Sequence, residues 1–172
     1  MIGNSAAVLD SPNILHLVLL VGGSGCLYAA ALEIRQHTIR RWRLFVPPSL
    51  ALVVAAVVTL AQLTMDRPPW PFAAALGIGL ALGGARGLSI PLRVDQYWNL
   101  LRVRPTAKRL LFWVAAVVAA DVILEGGAAI AHQPLETWRF AGALAAVACT
   151  GMLWGRAVVV VIRMYNAPHV DL

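Results

Sequence analysis

The stretch Ala75-Leu-Gly-Ile-Gly79-Leu-Ala-Leu-Gly83-Gly-Ala-Arg86-Gly87 decides the fold. Glycines recur every fourth residue, at 79, 83 and 87, with Ala75 one step earlier. That spacing lines them up on one face of a helix. In lipid, such a stripe lets a second backbone come close, and close packing is what holds membrane helices together. It is not a nucleotide fingerprint, whose glycines are spaced differently and follow a strand. The stretch therefore reads as a membrane-spanning helix with a packing face.

The rest of the chain agrees. Of 172 residues, 60% are hydrophobic and only 13% charged, and the mean hydropathy is +0.75. A soluble domain is about half apolar and a quarter charged. Several apolar runs approach the ~18–20 residues that cross a ~30 Å hydrocarbon layer. Five spans follow, at about 14–34, 44–65, 71–90, 110–130 and 138–164. The fold class expected is an all-α membrane bundle forming a single integral domain. Pro47-Pro48 suits the first turn of the second span, where a missing N–H costs nothing. Pro68-Pro69 stops that span and Pro71 opens the third, so the two form a tight hairpin.

Charge gives the orientation. Arg35, Arg40, Arg41 and Arg43 occupy one loop, and Arg86, Arg93, Arg102, Arg104, Lys108 and Arg109 another. With Arg156 and Arg163, twelve cations fall on one side and only Arg67 and Arg139 on the other. Positive loops stay in the cytoplasm, so the N-terminus is expected outside and the C-terminus inside a bacterial inner membrane. Trp42, Trp70, Trp113 and Trp138 fall at span ends, as interfacial anchors do. The net charge of +6 is accounted for by this bias, and nucleic acid is not expected as a partner. Met1–Asn13 has no Lys or Arg, and a Gly stands three residues before Cys26, so neither a signal peptide nor a lipoprotein box is read there. The first span is expected to be retained.

The loop at 91–109 is the longest polar segment. Leu92 and Val94, then Leu101 and Val103, alternate with Arg93, Arg102 and Arg104. A short hairpin or a surface-lying helix would each use that pattern. A partly extended loop on the membrane surface fits best.

Chemistry-bearing residues are few. Asp121 and Glu125 are four apart, on one face of the fourth span. Ionisable groups inside a membrane are costly and mark ion or proton sites. Arg139 or His132 would then lie close by. The alternative is that both acids sit wet at the outer end of their span. Arg86 and Arg156 come near the inner headgroups, where long cationic side chains snorkel. With Arg93, Trp98, Arg102 and Arg104 they would touch lipid phosphate or a partner. His16, His37, His132 and His169 are terminal or in loops, so haem ligation at membrane depth is not expected. Cys26 and Cys149 read as small apolar residues. No catalytic, metal or cofactor set is found, and the chain is expected not to be an enzyme.

Arg86-Gly-Leu-Ser-Ile-Pro-Leu-Arg93-Val-Asp95, then Trp98, Arg102, Arg104-Pro105, Arg109 and Trp113, resembles the CcdC-like family of bacterial membrane proteins over about 30 residues. That resemblance implies a glycine-rich helix ending in Arg-Gly, then a basic turn with an acid and an aromatic before the next helix. It carries over no catalytic residue.

The leading expectation is a non-catalytic accessory or scaffold subunit of a larger membrane complex, or a homo-oligomer, bathed in membrane lipids. It would dock through the glycine faces Gly79, Gly83, Gly87, Gly151 and Gly155 and through the basic loop. The alternatives are a small transporter or ion-coupled protein using Asp121 and Glu125, and then a lipid-acting enzyme.

Overall fold

The computed structural model describes residues 14–35, 38–90, 92–95, 100–103, 105–131 and 136–166. Five helices follow in order: α1 (Ile14–Arg35), α2 (Val46–Leu63), α3 (Trp70–Ser89), α4 (Pro105–Ala131) and α5 (Glu136–Tyr165). All five are long and apolar enough to cross a membrane. α5, at 30 residues, measures about 45 Å at 1.5 Å per residue, more than a bilayer core is thick. This is the architecture of a multi-pass integral membrane protein.

The polarity of the bundle is inside-out relative to a soluble protein. Leu17, Ile78, Leu82, Ile123 and Ile162 point outward, while Glu33, Gln62, Asp121, Glu125, Thr150 and Arg156 are buried. Large exposed apolar faces on a single chain require an apolar surrounding or a partner. Trp42, Trp70 and Trp138 are exposed at or beside helix starts, and Trp113 is exposed about two turns into α4.

Helix ends follow the prolines. Prolines occupy the first turns of α2 and α3. Between them the chain turns at Asp66, the one non-glycine residue with positive φ (57°) among those described. The Arg67 N–H donates to the Gln62 carbonyl at 3.4 Å and the Asp66 N–H to that of Leu63 at 3.2 Å, closing the end of α2. A left-handed residue just past a helix is the usual way to satisfy its last carbonyls.

α3 and α5 pack backbone to backbone. A Cβ on Gly79 would collide with the Ala148 carbonyl, and one on Gly83 with that of Met152. From the other side, a Cβ on Gly151 would lie 2.5 Å from the Leu76 carbonyl oxygen, and one on Gly155 would strike that of Leu80. Contacts advance in the same direction along both helices, so the two run parallel. Gly87 takes the Val159 side chain. Arg163 then closes the C-terminus of α3, donating to the carbonyls of Gly87 and Ile90 at 2.8 Å each. A guanidinium there meets both the orphan carbonyls and the negative end of the helix dipole.

This corrects the docking expectation. The glycine faces of α3 and α5 are spent on each other within the chain and are not open to another protein. The small patch of α1 behaves alike: Gly22 receives Val54 of α2, and Gly23 receives Val122 of α4.

The basic loop is also more ordered than expected. β2 (Leu92–Asp95) and β3 (Leu100–Val103) form an antiparallel hairpin, with Arg93 opposite Arg102. β1 (Thr38–Arg40), between α1 and a 3-10 turn at Arg41–Phe45, adds to the other edge of β3. Pairing on both sides makes β3 a central strand, which is why the segment is a small sheet and not a free loop. The sheet joins the α1–α2 and α3–α4 connections at one end of the bundle.

Gly83→Leu is expected to break the α3–α5 contact, whereas Gly77→Leu, where an added Cβ meets nothing within 4 Å, is expected to be tolerated. Size-exclusion profiles and thermal unfolding in mild detergent would check this: only the first variant should aggregate or unfold at clearly lower temperature.

Candidate functional site

Two buried polar layers cross the bundle, one toward each end. At the end of the sheet, Glu33 of α1 meets Arg156 of α5. The Arg156 guanidinium donates to Glu33 Oε1 at 2.6 Å, with the two residues 5% and 8% exposed. Arg156 was expected at the headgroups. It is instead turned inward, because an acid on a facing helix at the same depth offers a stronger partner than snorkelling does. Glu33 was not singled out in the sequence. Its signal was there, as the one acid in an apolar span that ends level with a cation in the fifth. Arg86 is exposed in the last turn of α3. It and Arg156 line a small cavity of about 10 Å³ with Leu110, Leu111 and Met152.

At the opposite end lie Asp121 and Glu125, 3% and 4% exposed. The alternative in which both acids end their span in water is therefore overturned. α4 continues to Ala131; α5 lies against both carboxylates, through Arg139 at Glu125 and Gly142 at Asp121, and α2 reaches Glu125. Arg139, in the first turns of α5, donates to Glu125 Oε2 from Nε at 2.9 Å, and its terminal nitrogen lies 2.7 Å from the same oxygen. Gln62 Nε2, at the end of α2, donates to Glu125 Oε1 at 3.4 Å. Glu125 is thus held on both oxygens. Arg67 and Glu136 lie outside this layer, 3.5 Å apart, with Arg67 over the Phe140 ring.

Asp121 differs. Neither of its buried oxygens has a hydrogen-bond partner among the described residues. It sits one turn inward from Glu125, against Gly142 of α5 and Leu124, and a Cβ on Gly142 would collide with Oδ1. A side chain this polar and this buried is ordinarily hydrogen-bonded, and each exception asks for an explanation.

The sequence pairing of Asp121, Glu125 and Arg139 is partly realised: Arg139 reaches Glu125, not Asp121. His37, Trp98, Arg104, His132 and His169 lie outside the described residues; Arg93 and Arg102 are placed by strand register alone. Thr150, midway along α5, sits between the carbonyls of Ala146 (2.8 Å) and Ala51 (3.1 Å), tying α5 to α2. Among the described residues no group of three or more His, Cys, Asp or Glu could hold a metal ion.

No family model matches the chain, and no curated protein or solved structure matches it.

Removing one partner of a buried ion pair strands the other, at about 3–5 kcal/mol. Arg156→Met alone should therefore lower the unfolding midpoint in detergent strongly, whereas adding Glu33→Gln in the same chain should recover most of the loss. A double variant no better than the single would show that the pair is not the source of the effect.

Proposed function

We propose that this chain is a small ion-coupled membrane protein in which Asp121 binds the ion and Glu125, Arg139 and Gln62 complete the site. One observation carries this reading: a carboxylate buried at membrane depth with no partner on either oxygen among the described residues. Intramembrane acids are expensive and are kept where they bind or relay charge. The positive-inside bias supports a topology with the N-terminus outside and the C-terminus in the cytoplasm, as in a bacterial inner membrane. The Asp121 layer then faces the outer half of the bilayer and the Glu33–Arg156 layer the inner half.

A second reading, an accessory subunit of a larger membrane complex, is favoured by a different observation. With its glycines buried on α5, α3 presents Ala74, Gly77, Ala81 and Ala85 outward, all exposed. Their spacing of three and four forms a single face. Small residues outward on an outer helix suit a partner helix better than lipid alone. The resemblance to the CcdC-like family and the basic cytoplasmic segment belong with this reading. Arg86 would contact lipid phosphate in either case.

The ion-coupled reading is tested in vesicles containing the purified protein and interior dyes for pH and for sodium. Imposed gradients should drive proton or cation movement by the wild type, reduced at least tenfold in Asp121→Asn and less in Glu125→Gln. Identical traces for wild type and Asp121→Asn would sink it. A large native particle with stoichiometric partner chains would then favour the second reading.

A further inference from the structure

We propose that the ion held at Asp121 is a proton, and that this proton sets the contact between α4 and α5. The inference deepens the reading above and rests on it.

The first support is charge balance. The buried layer holds two carboxylates, Asp121 and Glu125, one guanidinium, Arg139, and one amide, Gln62. Arg139 spends two nitrogens on Glu125 Oε2, so that pair is already neutral. An ionised Asp121 would leave the layer with an unmatched negative charge in apolar surroundings, which is strongly disfavoured. One added proton makes the layer neutral. Asp121 is the carboxyl that takes it, because Glu125 has the cation.

The second support is space. A hard metal cation asks for about six oxygen ligands. Asp121 Oδ1 instead lies so close to Gly142 of α5 that an added Cβ there would collide with it, and the Leu124 side chain borders the same spot. A proton needs no room and no further ligands.

Other charged and titratable groups facing this end come from each neighbouring element. They are Glu125 on α4, Arg139 on α5, the Arg67–Glu136 pair outside the layer, and His16 in the first turns of α1. α2 contributes the neutral Gln62. Arg139 is the cation within the buried layer among the described residues.

The consequence is mechanical. A neutral carboxyl can lie in the gap that Gly142 leaves, with α4 and α5 closed on each other. Loss of the proton favours any movement that brings water or Arg139 to Asp121. Arg139 lies three residues before Gly142 on the same face of α5, so a small displacement of that helix suffices.

The test uses dicyclohexylcarbodiimide on the full chain in lipid vesicles. This apolar reagent reacts with a protonated carboxyl. The acid O–H adds across one C=N bond, its proton goes to nitrogen and nothing leaves, so the modified residue gains the reagent's mass. Peptide mass spectrometry should find Asp121 labelled and Glu125 not, with labelling falling at least tenfold as pH is raised. Gly142→Ala, whose added methyl takes the space that Oδ1 occupies, should displace the carboxyl and shift the profile by at least one pH unit. An infrared band of a protonated carboxyl should vanish in Asp121→Asn. Absence of both the band and the label overturns the proposal, as does label that ignores pH. Sodium that suppresses labelling at fixed pH shows a cation site, overturning the proton while leaving ion coupling intact. Labelling as expected with no flux in vesicles does the reverse: the proton site stands and the transport reading fails.

Discussion

The bundle depends on how closely α3 can approach α5. Two parallel helices meet with glycine Cα atoms against carbonyl oxygens on both sides, at positions where a single methyl group would collide. Lipid offers no hydrophobic drive toward helix association, so attraction must come from many short contacts. Glycine at 79, 83, 151 and 155 makes those contacts available along about two turns of each helix. Arg163 then fastens the end of the pair with two bonds to the carbonyls of α3. α3 makes its main contact with α5, so its place in the molecule rests on this one seam.

The remaining helices, α1, α2 and α4, pack by a different rule. Their contacts are valines entering small-residue notches, such as Val54 at Gly22 and Val122 at Gly23. α5 joins the two sets. It contributes Thr150 to α2 at mid-depth, Arg156 to α1 at one end and Arg139 to α4 at the other. Each arginine meets its acid on another helix, so both ion pairs lie across the seam between α5 and the α1–α2–α4 group. A helix that carries every interhelical cation of the two layers also determines their charge balance.

Much of this is legible in the sequence. Helix number and most helix ends follow from apolar run lengths and from Pro47-Pro48 and Pro68-Pro69; α4 is the exception, beginning at Pro105 inside the segment expected to be loop. The glycine stripes announced close packing, but a stripe specifies an approach distance and not a partner, so the sequence did not say that α3 and α5 use each other. Asp121 and Glu125 were visible as a pair on one face. Their burial was not, because hydropathy reports depth poorly and rotation about the helix axis not at all. The pairing of Arg156 with Glu33 escaped for a related reason: each lies within snorkelling reach of headgroups, and only the facing geometry turns both inward. The strand at Thr38–Arg40 is three residues long, too short to carry a period of its own. It exists because β3 was already there to receive it.

The little sheet has a consequence for how the molecule can breathe. It binds two separate connections, α1 to α2 and α3 to α4, into one hydrogen-bonded clasp. Two connections that are far apart in sequence are thereby joined by main-chain bonds, so a shift of α1 reaches α3 and α4 through the strands as well as through side-chain packing. The unpartnered carboxyl of Asp121 lies toward the opposite end of the bundle, where the turn at Asp66 and the side chains of Gln62, Glu125 and Arg139 make the joins instead. One end of the bundle is thus tied by backbone, and the end with the buried acid by side chains.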